Sequence, residues 1–144
     1  MDRFEIRDLP ADSRTGSEHP ISIEINDSRL QDLMKQELDG DIRSGNVEIA
    51  PEDARLPSRH LLDKPIPDLS VDGRTAVLVC PECGDLGCGS VLVRVTIEPD
   101  RVIWSDFLLG VNYYADEPGD LDRTLRGRFE FDREAYESQL RPPG

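Results

Sequence analysis

Residues 91–109 read VLVRVTIEPDRVIWSDFLL, and this stretch decides the fold. Apolar residues stand at every second position over residues 91–97, which is the period of a β-strand with one buried face. Pro99 and Asp100 predict a turn, after which residues 101–109 return as a second strand. The stretch therefore predicts a β-hairpin, which we take as the centre of an antiparallel sheet.

The length of the turn sets which side chains of this hairpin face each other. A two-residue turn would place Asp106 opposite Val93 on the apolar face. A three-residue turn over residues 99–101 would instead place Asp106 opposite Arg94, and Phe107 would then face Val93. Because a slip of one residue moves every side chain to the other face, the sequence favours the three-residue turn.

The flanking sequence adds strands to the hairpin. Residues 75–79 are apolar from Ala76 onward, as expected of a central strand that is buried on both faces. Residues 75–109 therefore predict a three-stranded meander. Apolar and polar residues also alternate over residues 4–7 and 21–25, which predicts two N-terminal strands.

Two helices complete the predicted fold. A central helix is predicted over residues 28–39, with Ser28 as its N-cap, and a C-terminal helix over residues 132–140. Residues 41–73 are rich in proline and predict a long loop that wraps one edge or face of the sheet. The chain is thus predicted to be a single α+β domain, residues 1–144, built around an antiparallel sheet.

The composition argues against two classes of partner. The chain has 17 Lys and Arg against 30 Asp and Glu, a formal net charge of −13. Proteins that bind nucleic acid or an anionic membrane present a basic surface, so we expect neither partner. No apolar run is long enough for a membrane-spanning helix, and the acidic residues close to Met1 are unlike a signal peptide. These features predict a cytoplasmic protein.

All three cysteines of the chain, Cys80, Cys83 and Cys88, lie in the stretch CPECGDLGCG at residues 80–89. In a meander of three antiparallel strands, this stretch and the segment after the third strand lie at the same end of the sheet. That second segment contains three side chains suited to binding, Asn112, Tyr113 and Tyr114. The sequence therefore predicts one candidate site, in which these three residues lie beside the cysteines.

Cys80 and Cys83 have the spacing of a zinc knuckle, in which two intervening residues allow both thiolates to face one ion. A zinc ribbon needs a second knuckle 15 to 20 residues away, and here only Cys88 follows. A complete zinc site would therefore take all three cysteines and a fourth ligand, either His60 or Asp85. His60 and the other histidine, His19, are otherwise expected to be solvated loop residues.

Two other interpretations of the cysteines remain open at the level of sequence. Cys83 and Cys88 could act as a redox dithiol, although such dithiols usually lie at a helix N-terminus and a strand is predicted here. Alternatively, the cysteines stay reduced in a glycine-rich turn, as a cytoplasmic location favours.

Four blocks of the sequence resemble a family of small bacterial proteins without an established activity, some of which are labelled oxidoreductase. The blocks are IEINDSRLQDL (23–33), CGDLGC (83–88) with VLVRVT (91–96), VIWSDF (102–107) and FEFDREAY (129–136). Members often have Cys-x-Cys where this chain has Cys80-x-x-Cys83. The resemblance therefore implies that Cys83 and Cys88 are the family's pair and that Cys80 is variable.

Two functions from different classes follow from these observations. We expect a non-enzymatic binding or accessory domain that contacts a protein partner through the cysteine and tyrosine segments, with zinc as a structural metal. The alternative is a thiol-dependent oxidoreductase that uses Cys83 and Cys88. The sequence leaves the identity of the partner and the oligomeric state open.

Overall fold

The computed structural model describes residues 1–9, 21–33, 47–71, 73–79, 90–110, 123–125 and 127–141. The strands are β1 (Phe4–Asp8), β2 (Ile21–Ile25), β3 (Ser28–Arg29), β4 (Val47–Glu48), β5 (Ser70–Val71), β6 (Arg74–Val79), β7 (Ser90–Ile97), β8 (Arg101–Gly110), β9 (Arg123–Leu125) and β10 (Phe129–Asp132). The helices are α1 (Pro51–Ala54) and α2 (Arg133–Leu140), with a 3-10 turn at Pro67–Leu69. Residues 30–33 are also helical.

The strands form two antiparallel sheets, which confirms the predicted α+β fold. The larger sheet has the order β10-β8-β7-β6-β4, with β9 also paired to β8 and β5 also paired to β6. Its centre, β6-β7-β8, is the predicted meander. The smaller sheet has the order β1-β2-β3 and contains both predicted N-terminal strands.

The hairpin of β7 and β8 contains both of the registers considered for the sequence. Next to the turn, Arg94 pairs with Ser105, which is the register of a two-residue turn and differs from our preference. Farther from the turn, Leu92 pairs with Leu108, which is the preferred register. The register therefore shifts by one residue within β8, as at a β-bulge.

Asp106 is the residue at which β8 bulges. Its φ of 52° lies in the left-handed region, which aspartate tolerates better than most residues. The extra residue allows Trp104 and Phe107, which are three positions apart, to be buried on the same face of the sheet. Arg94 donates through Nε to the Asp106 carboxylate at 3.1 Å, and Arg74 donates through Nε to its carbonyl oxygen at 2.8 Å.

The central helix begins later than the sequence predicted. Ser28, its predicted N-cap, instead pairs with Ile25 in the smaller sheet. Asn26 and Asp27 have φ values of 52° and 69°, as in the tight two-residue turns that join β-hairpins. This hairpin moves the first helical residue to position 30, and residues 34–39 of the predicted helix lie outside the described residues.

The C-terminal helix α2 confirms its prediction and closes the core. Asp132 caps it by accepting a hydrogen bond from the backbone N–H of Ala135 at 2.9 Å. Tyr136 stacks on Phe131 with ring centroids 5.5 Å apart. The buried Tyr136 hydroxyl accepts from Trp104 Nε1 at 3.1 Å and donates to the carbonyl of Leu61 at 2.6 Å. One side chain therefore joins the helix, the larger sheet and the segment before β5.

The described part of the proline-rich segment lies along the outer edge of β6. Both β4 and β5 pair with β6, at its two ends. Glu48 of β4 also contacts the smaller sheet, because its Oε1 accepts from the backbone N–H of Ile23 at 3.3 Å. Burial raises the pKa of this carboxyl above its usual value.

Candidate functional site

The end of the larger sheet where the meander opens is the predicted location of the site. Val79 at the end of β6 pairs with Ser90 at the start of β7, and Ser90 pairs with Gly110 at the end of β8. Because neighbouring strands lie about 4.8 Å apart, Val79 and Gly110 are separated by about 10 Å. The chain thus leaves the sheet for residues 80–89 and 111–122 at one common end, as the predicted meander requires.

The predicted site residues themselves lie outside the described residues. This applies to the predicted metal ligands and to the predicted binding residues: Cys80, Cys83, Cys88, Asn112, Tyr113 and Tyr114. It also applies to Asp85, one of the two candidates for a fourth ligand. The structure therefore describes the sheet end from which these residues extend, and their arrangement stays a prediction.

Ser90 is a buried polar residue at this sheet end that sequence analysis did not single out. Its side chain is fully buried, and its Oγ has no hydrogen-bond partner among the described residues. Its β6 neighbour Val79 is also buried. In the sequence, only the period-two alternation that continues back from Val91 bears on position 90. It could suggest the face of the sheet on which Ser90 lies, but not that its hydroxyl would be buried without a partner among the described residues.

His60, the other candidate for a fourth ligand, is a buried structural residue and not the solvated loop residue that was expected. Its Nδ1 accepts a hydrogen bond from the backbone N–H of Ile66 at 2.9 Å. Nδ1 therefore carries no proton, and Nε2 donates to the carbonyl of Ala76 at 2.8 Å. Burial lowers the pKa of this imidazole, which favours the neutral ring.

The position of His60 can be compared with that of Val79, the last described residue before the cysteine segment. Its partner Ala76 pairs with Leu92, two residues along β7 from the Ser90 that pairs with Val79, which is about 7 Å along a strand. Both ring nitrogens are engaged, so a metal ion bound by either nitrogen would replace a hydrogen bond of the described structure. Of the two candidates for the fourth ligand, His60 is therefore the one whose binding would cost a described hydrogen bond.

The described residues contain no group of three His, Cys, Asp or Glu side chains that could hold a metal ion. All three cysteines are outside that part of the chain. Within the same ranges, no helix has the length and apolar character needed to cross a membrane.

A second feature is a cleft of about 410 Å³ beside the opposite end of β7. One wall is the strand itself, from Arg94 to Ile97, and the other includes His60, Leu62, Asp63 and Pro65. Gly73 closes one end with a φ of 78°, and a Cβ atom there would come within 2.9 Å of Arg94 Nη1. The sequence contained one indication of this cleft. The predicted strand 91–97 is longer than its predicted partner 75–79, so part of the longer strand extends beyond that partner.

No protein-family model, no curated protein and no solved structure matches this chain.

Proposed function

We propose that this chain is a non-enzymatic binding domain that contacts a protein partner at the open end of its meander, with a structural zinc ion held by the cysteine segment. The observation that supports this proposal most is the pairing of Val79, Ser90 and Gly110 in adjacent strands. That pairing brings the attachment points of the two candidate segments within about 10 Å of each other.

The cysteine segment has the donor set that a zinc ion requires. Thiolates are preferred zinc ligands, and a structural zinc site has four ligands in tetrahedral arrangement. Cys80, Cys83 and Cys88 supply three of them in this proposal, and Asp85 supplies the fourth. Ten residues connect Val79 to Ser90, and a zinc ion held by them would lie beside the paired ends of β6 and β7.

The segment after β8 supplies the contact with the partner in this proposal. Tyr113 and Tyr114 combine a large apolar ring with a hydroxyl, which is the side-chain chemistry enriched at protein interfaces. Asn112 adds an amide that both donates and accepts hydrogen bonds. A net charge of −13 supports a partner with a basic surface, because opposite charges accelerate association.

Mass spectrometry under native conditions, combined with counting of reactive thiols, tests the zinc part of this proposal. We expect the mass of the chain plus one zinc ion, and thiols that react only after a chelator removes the metal. Cys83→Ser should lose the zinc, whereas Ser105→Ala, at a half-buried position on β8, should retain it as a control. A metal-free mass with three freely reactive thiols would contradict the proposal.

The same experiment separates the proposal from the thiol oxidoreductase alternative. The paired spacing of Cys83 and Cys88 is the observation that favours the alternative. A metal-free chain two hydrogens lighter, with Cys80 as its one free thiol, would indicate a disulfide between these residues. A redox potential or reductase activity that Cys83→Ser abolishes would then assign the chain to that class.

A further inference from the structure

Among the described strands, none covers the last residues of the β7 edge that faces β6. The ladder between the two strands extends only to the pair Thr75 and Val93, because β6 begins at Arg74 and the chain turns at Gly73. β7 continues to Ile97, and β8 covers its other edge throughout. Among the described residues, no strand pairs with the β6-facing edge beyond Val93.

The alternation of hydrogen bonds in an antiparallel pair shows which backbone groups face this open edge. Glu98 donates its N–H to the carbonyl of Arg101 at 2.9 Å, so these two residues are a hydrogen-bonded pair across the turn. Two positions along, Thr96 must bond to β8 in the same way. Val95 and Ile97 therefore direct their N–H and C=O groups away from β8 and into the cleft. No partner for these four groups exists among the described residues.

The cleft beside this edge has room for an extended chain. Its volume of about 410 Å³ falls within the range of sites that bind small ligands. Leu62 and Pro65 line the wall opposite the strand. His60, in the same wall, is held by one hydrogen bond that Nδ1 accepts and one that Nε2 donates, so its position in the wall is set before anything binds.

The side chains along the open edge alternate in chemistry. Val95 and Ile97 face the apolar side of the sheet, and Arg94 and Thr96 face the other side. Arg94 and Arg74 both donate to Asp106, and Asp63 in the opposite wall is paired with Arg59. These five side chains together carry one net positive charge on a chain whose net charge is −13. A strand added here would meet an apolar surface and a basic one at alternate positions.

We propose that the open edge of β7 from Val95 to Ile97 is a docking site for an extended peptide of a partner protein in which apolar and acidic residues alternate. The peptide adds a strand to the sheet. Its backbone pairs with the four unpaired groups of Val95 and Ile97, its apolar side chains pack beside these two residues, and an acidic side chain reaches Arg94. The site lies at the other end of β7 from Ser90, so it is independent of the cysteine segment and of any metal.

Titration with a blocked pentapeptide of alternating valine and glutamate, acetyl-Val-Glu-Val-Glu-Val-amide, tests this site by NMR. We expect backbone amide shifts centred on residues 94–97 and on the opposite wall, and at least tenfold slower hydrogen exchange of the Val95 and Ile97 amides at saturation. The same peptide with N-methylated backbone amides should not bind, because it cannot form the strand hydrogen bonds. A peptide of alternating valine and lysine should bind at least threefold more weakly.

A charge variant tests the role of Arg94 while the fold is preserved. Arg94→Gln should weaken binding of the valine–glutamate peptide about three- to tenfold. Arg128→Gln removes an exposed arginine that precedes β10 and does not line the cleft, and should leave the affinity unchanged. Unchanged exchange at Val95 and Ile97 with millimolar peptide would overturn the proposal. Protection of these amides that grows with protein concentration alone would also overturn it, because a second copy would then occupy the edge.

Discussion

His60 shows how a single buried residue changes the interpretation of a sequence. Sequence analysis placed it in a proline-rich loop, as a solvated residue or as a distant zinc ligand. The structure buries it, with Nδ1 accepting from Ile66 and Nε2 donating to Ala76. Ala76 is 16 positions away along the chain, and no local sequence pattern predicts a contact between residues so far apart. The neutral tautomer is therefore a product of tertiary structure.

The lowered pKa of His60 predicts how the stability of the fold depends on pH. The folded chain excludes a proton that the unfolded chain takes up below pH 6.5, the ordinary pKa of histidine. The contribution of His60 is thus fully present above pH 6.5 and is lost as the pH falls below it, by up to about 1.4 kcal/mol per pH unit. Urea unfolding at pH 7.5, 6.5 and 5.5 should show this decline.

Variants of the two histidines test which of them causes the pH dependence of stability. His60→Gln should be less stable at pH 7.5 and should lack this part of the decline, because it has no imidazole to protonate. His19→Gln removes the only other histidine of the chain and should keep the decline. A decline that disappears in His19→Gln and persists in His60→Gln would show that His60 is not the titrating group.

At the scale of elements, the hairpin of β7 and β8 marks the limit of what alternation can predict. The period-two pattern correctly predicted both strands and the turn between them. It forced a choice between two registers, because a regular ladder has only one. The bulge at Asp106 satisfies both, since it inserts one residue and lets Trp104 and Phe107 share the buried face. Ser28 was predicted to be a helix N-cap, and the structure places it in strand β3 instead. Serine is compatible with both positions, so the residue type alone did not decide between them.

The bulge makes a prediction about substitutions at Asp106. Its positive φ suits glycine, whereas a β-branched residue is strained in that region. Both Asp106→Gly and Asp106→Val lose the ion pair with Arg94, so their difference reports on the backbone alone. We expect the valine variant to be less stable by about 2 kcal/mol. Urea unfolding followed by the fluorescence of Trp104, the only tryptophan, measures it, and equal stabilities would contradict the bulge.

At the scale of the whole molecule, the sequence predicted the topology better than it predicted contacts. Apolar patterns, a continuous run for β6 and alternation for β7, were sufficient to order β6, β7 and β8, and that order alone brings Val79, Ser90 and Gly110 to one end of the sheet. The open edge at Val95 was not predicted, because it depends on where β6 turns away at Gly73. Strand lengths and turns decide such edges, and single-residue boundaries are the least determined feature of a sequence pattern.

The central claim is that the sheet end carries a zinc site of three thiolates and one oxygen ligand, and X-ray absorption at the zinc edge tests it most directly. The protein would be reconstituted with one equivalent of zinc and measured beside Cys83→Ser. We predict about three sulfur atoms at about 2.3 Å and one lighter ligand at about 2.0 Å, with the sulfur shell reduced or lost in the variant. A zinc ion surrounded only by oxygen and nitrogen atoms, with the same spectrum in Cys83→Ser, would contradict the claim.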